Sequence, residues 1–574
     1  MKFTEILKQN RELGAQLDGR KYNIAAISNI TINQLKDVLE YTLRIEGIPA
    51  NVEIGDYDSI VQDSMRFSDA DAVIVVWEAC NLIDGLNDKI FLMSEGEIDS
   101  LVEKIENEMS LLLTNLKSVP LVLVNKFSAA LFENNPLVRE PLSRLSMRLN
   151  EILENSVSKN CLIINTDSVL MEVGRRQALD LRMYQSSKAL YSLDFIRQYC
   201  SAIKPVFKAI TGRVKKVLVL DCDNTLWHGI LGEDGEDGIQ LNNNTLAGKA
   251  FKEVQTIVKG IQKEGVLIVL CSKNNSYDVE RVLSNHADML IRDSDIVAKM
   301  INWDDKATNM RALAKDLNLG LDSFVFVDDS AFEIGLIQKE LPMVMCIKVP
   351  DNLSEYPSVI RQLRQEFFTL SKSAEDSRKT EMYKQAQLRS HQPVKFSSTE
   401  DYLASLELKT SILWNEEVPV ARASQMTQKT NQFNLTTKRL TEAEIAATIQ
   451  DSCSLTAAFS VGDKYGDYGI SGLIIIKRHH KDSKTALLDT FLMSCRVIGR
   501  NVEYAIFDKI IHRVKESGFR ELHAKYIATA KNKQVENFYD ILGFTLCGEQ
   551  PEVKEYKLTL NNYEFQNIPY INSK

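Results

Sequence analysis

Two aspartates that directly follow an apolar run constrain the fold more than any other feature of this sequence. The run 214–220 ends in VLVL and has the composition of a strand buried on both faces, and Asp221 and Asp223 follow it in the string DCDNT. Such strands alternate here with helical segments, a pattern that predicts parallel α/β sheets. Because these sheets bind ligands at the carboxyl ends of their strands, Asp221 is predicted to attack a phosphoryl group and Asp223 to protonate the leaving oxygen.

Three further residues complete a phosphoryl-transfer site, in chain order. The strand VLIVLCS ends at Ser272, whose hydroxyl can bind a phosphoryl oxygen, and Lys306 in INWDDKA can neutralise the transition state. The strand FVFV is followed by Asp328, a further carboxylate. Since hard oxygen ligands suit Mg²⁺, we expect Asp221, Asp223 and Asp328 to hold this ion, with Ser272 and Lys306 joining the two aspartates of DCDNT in catalysis.

This set of residues resembles the haloacid dehalogenase (HAD) superfamily. The gaps between its parts hold a short Gly-rich flap and one or two helices, so we expect a HAD Rossmann-like sheet without a large cap and a site open to bulky substrates. Longer strings resemble the FkbH-like subfamily over most of the chain, namely LDCDNTLWHGILGEDG, LCSKNN, INWDDK, FVFVDDS, TQKTNQFNLTTKR and FLMSCRVIGR. His228, Ser330 and Ala331 depart from the usual text of that family.

The resemblance implies a substrate and a partner. In that family, enzymes of polyketide pathways dephosphorylate 1,3-bisphosphoglycerate and pass the glyceryl group to an acyl-carrier protein. It therefore implies a phosphorylated three-carbon substrate and an acyl-carrier protein partner here. Such a transfer uses a protein thiolate, for which Cys222, Cys271 and Cys495 are candidates, although a thiol with a structural role is the favoured interpretation of each, in the core for Cys222 and Cys271.

The last part of the chain carries a second motif, at the start of a predicted helix. The string CRVIGRN follows a strand, and backbone N–H groups at such a helix start can bind a pyrophosphate. It resembles the coenzyme A loop of GNAT acetyltransferases, which implies that Arg496, Gly499, Arg500 and Asn501 bind coenzyme A or a carrier-protein phosphopantetheine. The basic turn 477–484 either meets an acidic carrier protein or is a solvated hairpin.

We predict three α/β domains. These are a flavodoxin- or SGNH-like parallel sheet (1–205), the HAD-like domain (206–370) and a GNAT-like mixed domain (401–574), with an exposed helical linker (371–400) between the last two. Ser28 lies where SGNH hydrolases carry their nucleophile, but none of the seven histidines precedes His228. Ser-His chemistry is thus excluded there, and we expect a non-catalytic docking domain.

Composition restricts the partners and the cellular compartment that we expect for this protein. The net charge of −9 argues against nucleic acid as a partner, and no apolar run approaches the length of a membrane helix. Nine scattered cysteines without CxxC spacing and a charged first segment predict a cytoplasmic protein. Two alternatives stay open, a phosphatase for another phosphoester with the GNAT-like domain as a scaffold or thioester-binding module, and a binding protein with vestigial motifs.

Overall fold

The computed structural model describes residues 1–17, 19–132, 137, 139–370, 373, 375–390, 399–479, 482 and 484–573. They form two compact units, Met1–Thr211 with Leu440–Glu444, and Gly212–Arg439 with Ile445–Lys574. The first unit holds one sheet and the second holds two. The division into three domains stays a prediction.

The first unit is built on a parallel sheet in the order β2-β1-β3-β4-β5. Two of its strands are buried along their whole length, because helices cover both faces of such a sheet. The strands are β1 (Tyr22–Ser28), β2 (Ala50–Ile54), β3 (Ala72–Val76), β4 (Leu121–Asn125) and β5 (Cys161–Ile164). The helices are α1 (Phe3–Gln16), α2 (Gln34–Ile45), α3 (Ile60–Arg66), α4 (Leu86–Lys89), α5 (Glu95–Asn115), α6 (Pro141–Ser156), α7 (Thr166–Val173), α8 (Arg175–Ala178), α9 (Leu181–Ser187) and α10 (Leu193–Ile210).

Polar caps define where the long helices of this unit begin. Ser94 accepts a hydrogen bond from the N–H of Glu97 at the start of α5, and Ser192 does the same for Phe195 at the start of α10. Helix α10 continues through Pro205 to Ile210, so the chain passes the predicted domain end in a regular helix.

The second unit begins with another parallel sheet, in the order β10-β9-β6-β7-β8. Its edge strand β8 was not predicted, because it lies in a mixed polar and apolar stretch. The strands are β6 (Val217–Leu220), β7 (Leu267–Ser272), β8 (Ile296–Ile301), β9 (Phe324–Asp328) and β10 (Met345–Lys348). The helices are α11 (Leu231–Gly238), α12 (Leu246–Lys263), α13 (Ser276–Asn285), α14 (Lys306–Asp316), α15 (Ala331–Glu340) and α16 (Tyr356–Leu363).

The third sheet is mixed, in the order β17-β18-β16-β15-β14-β13-β11-β19, with β12 beside β15. Strands β15 and β16 are parallel, whereas β13, β14 and β15 pair antiparallel. The strands are β11 (Leu408–Trp414), β12 (Phe433–Asn434), β13 (Ser454–Asp463), β14 (Gly466–Arg478), β15 (Thr485–Met493), β16 (Glu521–Ile527), β17 (Thr545–Gln550), β18 (Val553–Thr559) and β19 (Ile571–Ser573). The helices are α17 (Lys379–Ser390), α18 (Thr399–Ser405), α19 (Val420–Lys429), α20 (Glu442–Gln450), α21 (Val502–Glu516) and α22 (Phe538–Ile541).

The segment 371–400 was predicted to be exposed, and that prediction is wrong for part of it. The side chains of Asp376, Thr380 and Met382 are buried within the second unit. Few large apolar residues occur here, so composition alone suggested a solvated linker. Its polar groups are instead satisfied by partners, as when Gln425 donates to Asp376. Residues 391–398 lie outside the described residues.

The predicted α/β class, with two parallel sheets and one mixed sheet, is confirmed. None of the helices in the described ranges combines the length and apolarity needed to cross a membrane. Three residues of the predicted basic turn, at positions 480, 481 and 483, lie outside the described part of the chain.

Candidate active site

Three side-chain caps shape the loops at the carboxyl end of the second sheet. Asn275, Asp305 and Ser330 each accept a hydrogen bond from a backbone N–H in the first turn of the following helix. Asp305 thereby places Lys306 in the first turn of α14. Ser330 is the N-cap of α15, directly after β9. Although this serine departs from the usual FkbH-like sequence, it still caps the helix that follows Asp328.

A lysine and three carboxylates meet at this edge. The Nζ atom of Lys306 lies 3.0 Å from Oδ1 of Asp221 and 2.6 Å from Oδ2 of Asp328, and its side chain is buried. One carboxylate oxygen from each of Asp221, Asp328 and Asp329 lies within 4.8 Å of the others. The strand order puts β6 between β7 and β9, so this cluster occupies the crevice where the direction of crossover reverses.

The donor set and its charge fit a hard divalent cation. Carboxylate oxygens are the ligands that Mg²⁺ prefers. The cluster contains three carboxyl groups, those of Asp221, Asp328 and Asp329, and a single lysine. Burial and the charge of Asp221 raise the pKa of Asp328 to about 6, despite the opposing effect of Lys306. Burial alone would lower the pKa of Lys306, but Asp221 and Asp328 hold it well above its usual value. The cluster therefore carries negative charge that a bound cation would balance.

Asp223 lies outside that carboxylate cluster, although it was predicted as a metal ligand. Its Oδ1 accepts hydrogen bonds from the indole N–H of Trp227 (2.9 Å) and the backbone N–H of Leu231 (3.0 Å). Its Oδ2 accepts one from Asn274 (2.9 Å). Burial raises the pKa of Asp223, as suits a group that must hold a proton before it gives it to a leaving oxygen.

The sequence pointed to the pair Asp328-Asp329 for one further metal carboxylate, of which Asp328 was chosen, and it gave Asn274 no role. Asp329 joins the cluster, and Asn274 holds Asp223. The signals were present in the strings FVFVDDS and LCSKNN, but a repeated aspartate or asparagine does not show which member faces the site.

The remaining predicted residues of this site are buried beside it. Ser272 is the last residue of β7 and is almost fully buried. Cys222 and Cys271 are buried as well, and burial raises the pKa of the Cys271 thiol to about 12 and that of Cys222 well above its usual value. The interpretation of both as core thiols is confirmed.

The site has no large cap. The connection from β6 to β7 contains only the short helix α11 and helix α12 among its helices, and α11 is kinked at Gly235. The ring centroids of His228, beside the flap, and of Phe251 on α12 lie 5.8 Å apart. Tyr277, Trp303 and Phe332, which follow three different strands of this sheet, have exposed rings.

The predicted cofactor residues of the third sheet lie in the loop before α21 and differ in backbone conformation and hydrogen bonding. Gly499 and Asn501 adopt positive φ angles of 82° and 61°. Arg496 donates to the Oγ of Ser494 (3.2 Å), whereas Arg500 is hydrogen-bonded to Tyr468. The two arginines therefore have different hydrogen-bond partners, and their assignment to a cofactor stays a prediction.

The gap beside this loop does not fit a pantetheine arm. Strands β15 and β16 pair over the first four residues of each, and the segment around β12 lies between them beyond that point. The Leu435 N–H donates to the carbonyl of Phe491 (3.1 Å), and the Leu435 carbonyl accepts from the N–H of Ile527 (2.8 Å). The amides of a pantetheine arm would need these main-chain groups.

In the first sheet, the predicted nucleophile position is structural. The hydroxyl of Ser28 donates to the carbonyl of Val76 (2.8 Å) and accepts from the N–H of Ile30 (3.0 Å). The nearby Glu78 is fully buried and accepts a hydrogen bond from Tyr191 (2.6 Å). Burial, against the effects of Tyr191 and Asn125, raises the pKa of Glu78 to about 7.

The fold has a solved counterpart. The N-terminal part of the protein BF1531 from Bacteroides fragilis, containing a phosphatase domain complexed with Mg, matches with a TM-score of 0.57 and 24% identity, covering 65% of this chain and 100% of that chain. At this identity the likeness shows a shared fold.

Acetyltransferase structures match a smaller part of the chain. The ribosomal-protein-S18-alanine N-acetyltransferase from Escherichia coli has 15% identity and a TM-score of 0.21, covering 26% of this chain and 94% of its own. The GNAT domain of S. lividans PAT has 19% identity and a TM-score of 0.18, covering 21% and 70%. No protein-family model and no curated protein matches the chain.

Proposed function

We propose that this protein is a Mg²⁺-dependent phosphatase of the HAD type, acting through Asp221. The observation that carries the proposal is the buried cluster of Lys306 with the carboxylates of Asp221, Asp328 and Asp329 at the carboxyl ends of parallel strands. The shared fold with a phosphatase domain complexed with Mg supports it. When bound, the metal ion would neutralise the negative charge on the phosphate and on the attacking carboxylate.

The side chains divide the work by their surroundings. Asp221 attacks phosphorus while the bond to the leaving oxygen breaks, and Asp223, whose raised pKa favours the protonated form, gives that oxygen its proton. Asp223 then takes a proton from the water that hydrolyses the aspartyl phosphate. Lys306 holds Asp221 and Asp328 in place and offsets the charge that develops on the phosphoryl oxygens.

The finer proposal concerns substrate and partner. We propose that the substrate is 1,3-bisphosphoglycerate, from which Asp221 removes the ester phosphate, and that the thiol of an acyl-carrier protein attacks the C1 carbonyl, forms a thioester with the glyceryl group and displaces the acyl phosphate as inorganic phosphate. The resemblance of six long strings to FkbH-like enzymes supports this, and an uncapped site with exposed aromatic rings at its edge suits a substrate presented by a macromolecule. The alternative is a phosphatase for another phosphoester, with the third sheet as a scaffold.

One experiment separates the two. Purified full-length protein is given Mg²⁺ and 1,3-bisphosphoglycerate, with and without an acyl-carrier protein, and both phosphate release and carrier mass are followed. Glyceryl-carrier formation that disappears in Asp221→Asn supports the finer proposal. Hydrolysis of other phosphate monoesters without any carrier product favours the alternative, and no Mg²⁺-dependent phosphate release from either substrate class refutes the phosphatase itself.

A further inference from the structure

A second candidate site lies in the second unit, at the amino ends of β6, β7 and β9, whereas the carboxylate cluster lies at the carboxyl ends of β6 and β9. A cavity of about 360 Å³ is bordered by the residues that precede β6, β7 and β9 and by the loops that follow β15 and β16. Helices α17 and α19 close it. We call it the basic cavity after the cations that line it, which are Lys215, Lys216, Lys379, Arg422, Lys429, Arg496 and Lys531.

The basic cavity is separate from the carboxylate cluster. Lys216 directly precedes β6 and Asp221 directly follows it, so the two lie at opposite ends of one strand. At about 3.3 Å per residue, their backbones are about 16 Å apart. A ligand in the cavity therefore does not touch the phosphoryl-transfer residues.

Two cations of the cavity have no acid beside them. The Nζ of Lys216 donates to the carbonyl of Lys429 at 2.7 Å, and Arg496 donates to Ser494 and to the sulfur of Met382. Within the described ranges, no carboxylate lies within 4 Å of either cation. Burial lowers the pKa of Lys216 to about 8, so its positive charge is costly in the absence of an anion.

Two further lysines share one carboxylate. Lys379 lies 2.5 Å and Lys429 lies 3.7 Å from the same oxygen of Asp376. The acids that line the cavity are already engaged, since Asp322 is paired with Lys531 and Glu264 with an arginine outside it. The cavity thus concentrates positive charge in a protein whose net charge is −9.

We propose that the basic cavity binds a small molecule through its phosphate group, at a site distinct from the phosphatase centre. A phosphate monoester brings nearly two negative charges and three acceptor oxygens, whereas a carboxylate brings one charge and two oxygens. Because lysines and arginines outnumber acidic residues around the cavity, a phosphate monoester suits it better than a carboxylate. The planar guanidinium of Arg496 also has the donor geometry that binds phosphate. The volume accommodates a metabolite-sized ligand.

The cavity contains its own chemical reporter. Cys495 lines it and is partly exposed, with its sulfur 3.9 Å from the hydroxyl of Tyr383. Cys453 and Cys547 are exposed thiols that do not line it, so they serve as internal references. A ligand in the cavity must slow alkylation of Cys495 and leave the reference thiols unchanged.

The test measures alkylation of the full-length protein by iodoacetamide, resolved by peptide mass spectrometry. Inorganic phosphate is the probe, and acetate at equal ionic strength is the control anion. At a phosphate concentration of about ten times its Kd, modification of Cys495 should slow about 10-fold. Protection should persist in Asp221→Asn, which separates this site from the phosphatase centre. No protection, or equal protection by acetate, would overturn the proposal.

Variants assign any protection to the cavity. Lys216→Met and Arg496→Gln should each abolish protection, whereas Lys216→Arg should retain it. Lys249→Met, at an exposed lysine near the other end of α12 that does not line the cavity, should behave as wild type. Thermal unfolding of each variant shows whether it is folded, and Lys216→Arg keeps the test valid if Lys216→Met is not. Full protection in both charge-removing variants would refute the assignment.

Discussion

Two parallel sheets of this protein share an architecture and differ in chemistry at the same edge. In the first sheet, the crevice beside β1 and β3 holds Ser28 and Glu78 in a neutral hydrogen-bonded network. In the second, the crevice beside β6 and β9 holds Lys306 between the carboxyl groups of Asp221 and Asp328. The fold thus supplies a place for a ligand, and the side chains at the strand ends decide whether charge is available there.

The difference is one of pairing as well as composition. Glu78 has a tyrosine as its close partner and retains its proton to about pH 7, which removes the negative charge that a metal site needs. Asp221 and Asp328 have a lysine between them. Burial raises the pKa of a carboxyl group in both crevices, but in the second Lys306 acts against that rise at Asp328.

The largest effect should come from removing the nucleophile of the second sheet. Asp221→Asn should lower phosphate release by on the order of 10³-fold or more, because an amide does not attack phosphorus. Glu78→Gln in the first sheet should leave the rate unchanged, as should Asp237→Asn on the exposed flap. The measurement is Mg²⁺-dependent hydrolysis of p-nitrophenyl phosphate. Comparable losses of activity in Asp221→Asn and Glu78→Gln would contradict the assignment of catalysis to the second sheet alone.

Removing the lysine tests the charge balance. Lys306→Met should lower the rate by about 100-fold, since a preorganised cation beside the phosphoryl group is lost. It should also cost about 3 kcal/mol of stability in EDTA, because two buried carboxylates lose their partner, and Mg²⁺ should restore part of it. Thermal unfolding with EDTA and with Mg²⁺ measures this. A variant as stable as wild type without Mg²⁺ would contradict the cluster's dependence on its cation.

The proton donor should reveal itself through the leaving group. Asp223→Asn should slow hydrolysis of an alkyl phosphate by about 100-fold, since the alkoxide must be protonated as it departs. The loss should be smaller with p-nitrophenyl phosphate, whose leaving group is stable without a proton. The ratio of kcat/KM for the two substrates is the measurement. Equal losses would remove Asp223 from the role of general acid.

The smallest effect concerns Glu78, and its sign follows from the raised pKa. The folded protein keeps a proton on Glu78 up to about pH 7, whereas the unfolded chain loses it near pH 4.5. The stability contributed by this group is therefore lost as pH rises between these values, by on the order of 3 kcal/mol. Glu78→Gln should be free of this loss, so its unfolding midpoint should rise relative to wild type between pH 5 and pH 7.

Calorimetry of the full chain across this pH range measures that change. Glu151→Gln, at an exposed position on α6, is the matched control and should follow wild type at every pH. Parallel pH dependence in wild type and Glu78→Gln would mean that Glu78 is ionised in the folded protein.

Local pattern was enough to predict four of the five strands of each parallel sheet and the aspartates that follow β6 and β9, whereas the edge strands β5 and β8 were missed. Val217–Leu220 and Ala72–Val76 are apolar throughout, and only a strand covered on both faces suits such runs. Placing Asp329 in the cluster and Asp223 outside it depends on the turn of the loop, which side-chain identity does not encode. The burial of α17 and the basic cavity depend on packing between distant segments, so no local pattern in 371–400 pointed to them.

The most direct test of the phosphatase assignment is to trap the covalent intermediate. Full-length protein turning over a phosphate monoester with Mg²⁺ is quenched in acid within milliseconds, reduced with borohydride and mapped by mass spectrometry. The account predicts a modification at Asp221 that is absent without Mg²⁺ and absent in the first sheet's peptides. Phosphate release at the full rate with no modification at Asp221 at any quench time would contradict it.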